Sequence, residues 1–275
     1  MRQIITRVFL VLALGAGLAQ TALAADKARL EAFLKVTGFD VALESMRIGA
    51  QDAPQMIGME ASDFGILWAD VADEVFEPEA IRKDAMQLLG AAMSDEMLEH
   101  AADFYASDLG QRLVEVENAA HASDDDGATA ERGEALVAGM VEAGSARLEM
   151  LKRMNHAIDP ENVGIKASQE VQIRFLLAAS DAGVIDRIDE ATLRSLMEDQ
   201  AGAVAIEVEK SALANSAAVY EGFSDAELEA YAEALEAPLM QDVYELMNGV
   251  QYAIMADRYE QLAVKMGELG PGQEL

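Results

Sequence analysis

The chain contains no cysteine. Disulfide staples, thiol nucleophiles, thiolate metal sites and haem attachment are therefore excluded. It has only five prolines, and aromatic residues make up 5% of the sequence, so the chain has few helix breakers and few strand formers. Positive charge is scarce as well: 20 Lys and Arg stand against 50 Asp and Glu, a formal charge of -30. A surface this acidic repels nucleic acid and anionic headgroups, so neither is an expected partner. Acids are spread along every segment, which reads as a solvated coat that favours solubility.

Long apolar runs are missing except at the start. Arg2 and Arg7 precede the uncharged run Val8 to Leu18, and Ala22-Leu23-Ala24 forms a small-x-small exit before Ala25. This order is that of a cleavable secretory signal over residues 1–24. The run is short for a membrane span, which takes about 20 residues. The expected product is a periplasmic chain without stable membrane insertion, and an uncleaved anchor is the alternative. Losing two arginines and no acid takes the charge from -30 to -32. Roughly 250 residues are left, enough to form a core without disulfides.

What is present is helical periodicity and a repeat. Residues 93–119 align without a gap to residues 223–249, with nine of 27 positions identical, among them Ser94 with Ser224, Leu98 with Leu228 and Asn118 with Asn248. One fixed offset points to a duplicated unit. In the second copy Leu228, Tyr231, Ala232 and Leu235 fall at i, i+3, i+4, i+7, and Leu239, Val243, Leu246, Val250 and Ile254 continue after Pro238. In the first copy Leu98, Ala101, Ala102 and Tyr105 correspond, then Leu109, Leu113 and Val116. Each copy reads as a short helix, a corner and a longer helix. Ser224 with Glu227 makes a capping box, and Ser94 caps its helix without the full box. At the corners Ser107 can cap a new helix and Pro238 suits the first turn of one.

The expected fold is all-α: a helical bundle of two tandem repeats related by pseudo-two-fold symmetry. Repeat 1 spans 25–127, a long connecting helix 128–158, repeat 2 159–266 and a disordered tail 267–275. Within these, short helices are expected over 27–36 and 40–49, then 60–76 and Pro78 to about Ala92. One long helix is expected from Thr129 to about His156, and others over 168–181, 190–219, 224–235 and 238–266.

The segment Phe104-Tyr105-Ala106-Ser107-Asp108-Leu109-Gly110 has the form F-Y-x-S-x-x-G. Together with an upstream S/T-x-x-E-L segment it resembles the bacterial group catalogued as domain of unknown function 2059. The second copy keeps Ser224, Glu227 and Leu228 but has Ala234-Leu235, Ala237 and Met240 where the motif has Phe-Tyr, Ser and Gly. The resemblance implies a secreted, all-helical protein and brings no activity or catalytic residue. The second copy's departures make the motif structural: an aromatic core and a helix corner that can be built another way.

Catalytic signatures are missing. His100, His121 and His156 do not pair at helical spacing, and there is no H-E-x-x-H, G-x-S-x-G, S-x-x-K or phosphate loop. No cofactor is expected. Asp124-Asp125-Asp126-Gly127 invites a calcium reading, but the first ligand position would be Ala122 and the twelfth Gly133, so a solvated turn is preferred. Methionine pairs such as Met56 with Met59 and Met93 with Met97 suit copper(I) or a helical core, and they interleave with Leu and Ala as core residues do. Phe64 and Trp68 read as core. The first functional expectation is a non-enzymatic protein that binds a protein partner or itself, or supports envelope maintenance. A carrier of an apolar molecule such as a lipid, held between the repeats, is the second. A carboxylate hydrolase is the third, and it would need a cleft holding an acid with a raised pKa.

Overall fold

A computed structural model describes residues 27–123 and 126–270, which form helices, short 3-10 turns and connections with no strand among them. The leader lies outside the described residues, as do Asp124 and Asp125 of the calcium reading and the last five residues of the tail. Helix α1 covers 27–37 and α2 Phe39–Ala50. Then come α3 (Trp68–Val75), α4 (Pro78–Ala92), α5 (Asp95–Tyr105) and α6 (Asp108–His121). The second half holds α7 (Asp126–Ala143), α8 (Arg147–Ile158), α9 (Val163–Asp181), α10 (Glu190–Val219), α11 (Asp225–Leu235) and α12 (Pro238–Leu269).

The helix starts follow the side chains that can cap them. Ser94 Oγ accepts from the Met97 amide at 3.2 Å, and Ser224 and Glu227 form the full capping box. Pro78 opens α4 with the Glu77 carboxylate accepting from the Glu79 and Ala80 amides. The helix pair α5–α6 and the start of α11–α12 share the same bounds at an offset of 130 residues, Asp95–Tyr105 against Asp225–Leu235 and Asp108 against Pro238.

Five details differ from the sequence reading, the first being that α9 begins at Val163 rather than at 168. The expected long helix from Thr129 is two, α7 and α8, parted at Gly144, whose φ of 59° a continuous helix does not allow. The 60–76 helix is likewise two pieces, a 3-10 turn at Ala61–Phe64 and α3, parted at Gly65. Helix α12 runs to Leu269, so the first residues of the expected tail are helical. The buried stripe of α12 is Met240, Val243, Met247, Val250 and Ile254, with Leu239 and Leu246 only half-buried on its flank. Methionine's flexible thioether fills the centre where several helices meet.

Helix α12, 32 residues long, is the spine. It packs on α9 along its length and touches α4, α5, α3 and α8, so apolar residues are needed on more than one face. Helix α11 lies on α8, and α10 pairs with α7. Buried residues of both helix pairs join one contiguous core, from Phe33 and Leu43 through Leu113 and Leu151 to Leu228 and Leu262. Phe64 and Trp68 belong to it, their rings 5.5 Å apart. Among the described residues no helix is long and apolar enough to cross a membrane.

Candidate functional site

Where α6 faces α11 and α12, four tyrosine hydroxyls converge on one carboxyl group. Glu117, in the last turns of α6, accepts at Oε1 from the hydroxyls of Tyr220 (2.8 Å) and Tyr231 (2.9 Å). Tyr231 lies 3.3 Å from Tyr105 and 3.4 Å from Tyr244, and the Tyr105 and Tyr244 hydroxyls also bond to each other. Phe104 stacks parallel on Tyr231 at 5.8 Å. The five side chains come from α5, α6, α11, α12 and the C-terminal cap of α10.

Local structure explains how they meet. Ser107 caps α6 by accepting from the Gly110 amide at 3.1 Å. A Cβ on Gly110 would stand 2.3 Å from the Phe104 carbonyl oxygen and 2.6 Å from the Tyr105 Cα. Only glycine lets α6 press on the end of α5, which aims Tyr105 inward. In the second pair Pro238 starts α12, and Met240, fully buried, stands at the position aligned with that glycine. Tyr220 is fixed from behind by Arg147 of α8, which donates to the Tyr220 carbonyl (2.6 Å), the Phe223 carbonyl (2.8 Å) and Asp225 (3.0 Å). Arg112 of α6 pairs with Glu227 and lies 4.9 Å over the Phe223 ring, joining the two helix pairs at their outer edge.

Beside the cluster opens a cavity of about 490 Å³, within the range of small-molecule sites. Positions 130 residues apart in the alignment both line it: Glu117 and Met247, Asn118 and Asn248, His121 and Gln251. Met154, Asn155 and Ile158 of α8 close one side, and Asn215, Ser216 and Val219 of α10 another. The α1–α2 corner forms the rest. There Gly38, at φ 72°, passes so close to α6 that a Cβ would sit 2.4 Å from Asn118 Oδ1.

The lining is amphipathic. Ser216 donates to Asn155 Oδ1 at 2.7 Å, and Asn248 Nδ2 donates to the Ile158 carbonyl at 3.0 Å. The side chains of Asn118, Asn215 and Gln251 make no hydrogen bond among the described residues, and neither does Glu117 Oε2. Lys and Arg are missing from the wall, and Glu117 is its single acid. Burial raises the Glu117 pKa, and the two tyrosine hydroxyls pull it partly back. Burial also raises all four tyrosines, Tyr244 to about 12, and lowers His121.

Several sequence-identified residues therefore meet. Phe104, Tyr105 and Tyr231 form the cluster, Leu235 lines the cavity, and Ser107, Gly110 and Pro238 build the corners. Leu228 is core, Ser94 and Ser224 are exposed caps with Glu227 half-buried beside Ser224, and Leu98 lies apart, on a groove between α1 and α4. That groove, about 750 Å³, is larger and is walled by exposed charged side chains such as Lys83 and Glu79. We place the site in the smaller cavity because half-buried polar groups without a hydrogen bond, Asn118, Gln251 and Glu117 Oε2, line it beside the exposed Asn215.

Sequence reasoning passed over Glu117, Tyr220 and Tyr244. Glu117 was one acid among 50. The usable signal was the Asn118–Asn248 identity, since asparagine is a poor interior helix residue and its recurrence at the 130-residue offset asks for a reason. Among the described residues no group of three or more acids and histidines is placed to hold a metal.

No curated protein and no solved structure matches the chain. Residues 79–138, from α4 through α5 and α6 into α7, match the family described as an uncharacterized protein conserved in bacteria (DUF2059).

Proposed function

We propose that this chain is an exported, non-enzymatic binding protein that holds a small molecule in the cavity between two duplicated helix pairs. The observation that carries the reading is the convergence of open amides and a half-open carboxyl on a cavity with an apolar floor. A packed seam between the pairs would have argued against a carrier. The wall departs from the lipid carrier that composition suggests. Met154, Ile158, Val219, Leu235 and Met247 are apolar, but Asn118, Asn215, Gln251 and Glu117 call for a ligand with a polar group. Duplication with pseudo-two-fold symmetry is supported by the shared helix bounds at the 130-residue offset and by Asn118 and Asn248 reaching one cavity. Export rests on the leader sequence, and Ala25 as the first residue of the mature chain is its check by N-terminal sequencing.

The test is thermal denaturation of the mature protein against a panel of amines, saccharides, amides and fatty acids. A ligand at a hundredfold its dissociation constant stabilises by about 2.7 kcal/mol. Asn215→Trp, an exposed substitution that fills the cavity mouth, is expected to abolish that shift. Flat melting curves across the panel would sink the reading. A carboxylate hydrolase has less support, because one acid lines the wall and a glycosidase pair needs two. A protein-partner or self-association role keeps one specific support: Ile206 and Val208 on α10 and Val141 on α7 are exposed apolar side chains, Ile206 at 66%. Concentration-dependent mass in solution would test it.

A further inference from the structure

We infer that the ligand is a small organic cation, an ammonium group on an apolar body, with the ammonium seated against Glu117. The inference rests on the small-molecule reading above and names the ligand class of that cavity.

Glu117 has no cationic partner. A carboxylate withdrawn from water without an opposite charge is costly, and in folded chains such a group is ordinarily paired with Lys or Arg. Here neither residue type lines the cavity. Two hydroxyls satisfy Oε1, and Oε2 accepts no hydrogen bond among the described residues. It keeps some exposure to solvent: among the described residues the fully buried side-chain atom without a partner is Arg258 Nε. A cationic ammonium placed there, by charge alone or by donating an N–H where it has one, completes the missing ion pair.

The surroundings select the same charge. Phe39, Tyr220, Tyr231 and Tyr244 edge the cavity, and aromatic rings attract cations. The Asn118, Asn215 and Asn248 side chains bring carbonyl oxygens that can accept further N–H groups. An anion would meet Glu117 with no basic residue to offset it. Beyond the cavity, a mature charge of -32 raises the local concentration of cations and speeds their arrival. Other titratable groups facing Glu117 do not compete. Tyr105, Tyr220, Tyr231 and Tyr244 are held neutral by burial, and burial keeps His121 from protonating readily.

The test is calorimetric titration of the mature protein with choline and n-butylammonium, each beside its uncharged carbon or hydroxyl isostere. The cations are expected to bind at least about tenfold tighter than the isosteres, the margin a desolvated ion pair and a ring contact supply. Binding should tighten as pH rises through the Glu117 titration and should release protons to the buffer. Glu117→Gln keeps the shape and both tyrosine acceptor bonds, and it should bring cation affinity down to that of the isostere. Should that variant fold poorly, Asn215→Trp should block the same binding. Equal affinity for isosteres, or choline binding unchanged in Glu117→Gln or Asn215→Trp, overturns the cation inference. A neutral saccharide or amide that binds where cations do not leaves the small-molecule reading intact and removes this one. No binding by any probe removes both.

Discussion

In the first helix pair α5 turns into α6 through Ser107 and Gly110. In the second, α11 turns into α12 through Ala237 and Pro238 with Met240 behind. The first corner relies on a side-chain cap and a glycine that allows backbone contact. The second relies on a fixed φ and has the buried Met240 at the aligned position, where a Cβ is accommodated. Matching helix bounds thus come with two different corners, and the difference extends to the cavity. There the first pair supplies Glu117 and His121, and the second supplies Met247 and Gln251 at the matching positions. The shared element is structural, the corner and an asparagine. What diverges is charge, which leaves an acid on one side only.

The contrast can be broken at its strongest point first. Gly110→Ala drives a Cβ into the α5 backbone and is expected to cost roughly 4 kcal/mol, read by denaturant unfolding. Met240→Ala at the matching site leaves a void in place of a clash. It should cost roughly 3 kcal/mol, and a small apolar additive should partly restore the loss. If Gly110→Ala proves harmless, the two corners do not differ as described.

Tyr231→Phe should cost about 1–2 kcal/mol, because it withdraws a donor from Glu117. It also carries a pH signature. Burial raises Glu117 in the folded protein, so the stability tied to it is complete below the unfolded pKa and is lost as pH rises through the folded one. Removing a hydrogen bond that lowers this pKa shifts the loss to higher pH, measurable as the pH profile of the melting temperature.

The smallest effect lies at the caps. Ser224→Ala should cost about 1 kcal/mol. The Ser224 hydrogen bonds are the largest cause of the low Glu227 pKa, about 2, with Arg112 next. That stability is present above the unfolded carboxylate value and is lost as pH falls toward about 2, so variant and parent should converge in acid. Ser94→Ala, without the Glu partner, should show a weaker pH dependence.

Local chemistry in the sequence was enough to read the corners. Ser94, Ser107, Ser224 with Glu227 and Pro238 all mark helix starts, and 190–219 is a helix with the bounds expected for it. The break at Gly144 was not legible, because an isolated glycine is tolerated within a helical pattern and only its φ shows the turn. The swap of Met240 and Met247 for Leu239 and Leu246 in the core was not legible either. Periodicity gives a face to within a residue, and the neighbours, α4, α5, α8 and α9, decide its centre. Glu117 was hidden for a third reason: Tyr220 and Tyr231, which enclose it, lie more than a hundred positions away along the chain. Long-range convergence of this kind leaves no local pattern.

The central claim is that the two helix pairs enclose a ligand. Native mass spectrometry of the mature protein, isolated gently from its own cells beside its Asn215→Trp variant, tests it most directly. The parent is expected to carry an added mass that leaves on denaturation and is missing from the variant. A bare mass on the parent, or the same adduct on both, would contradict it.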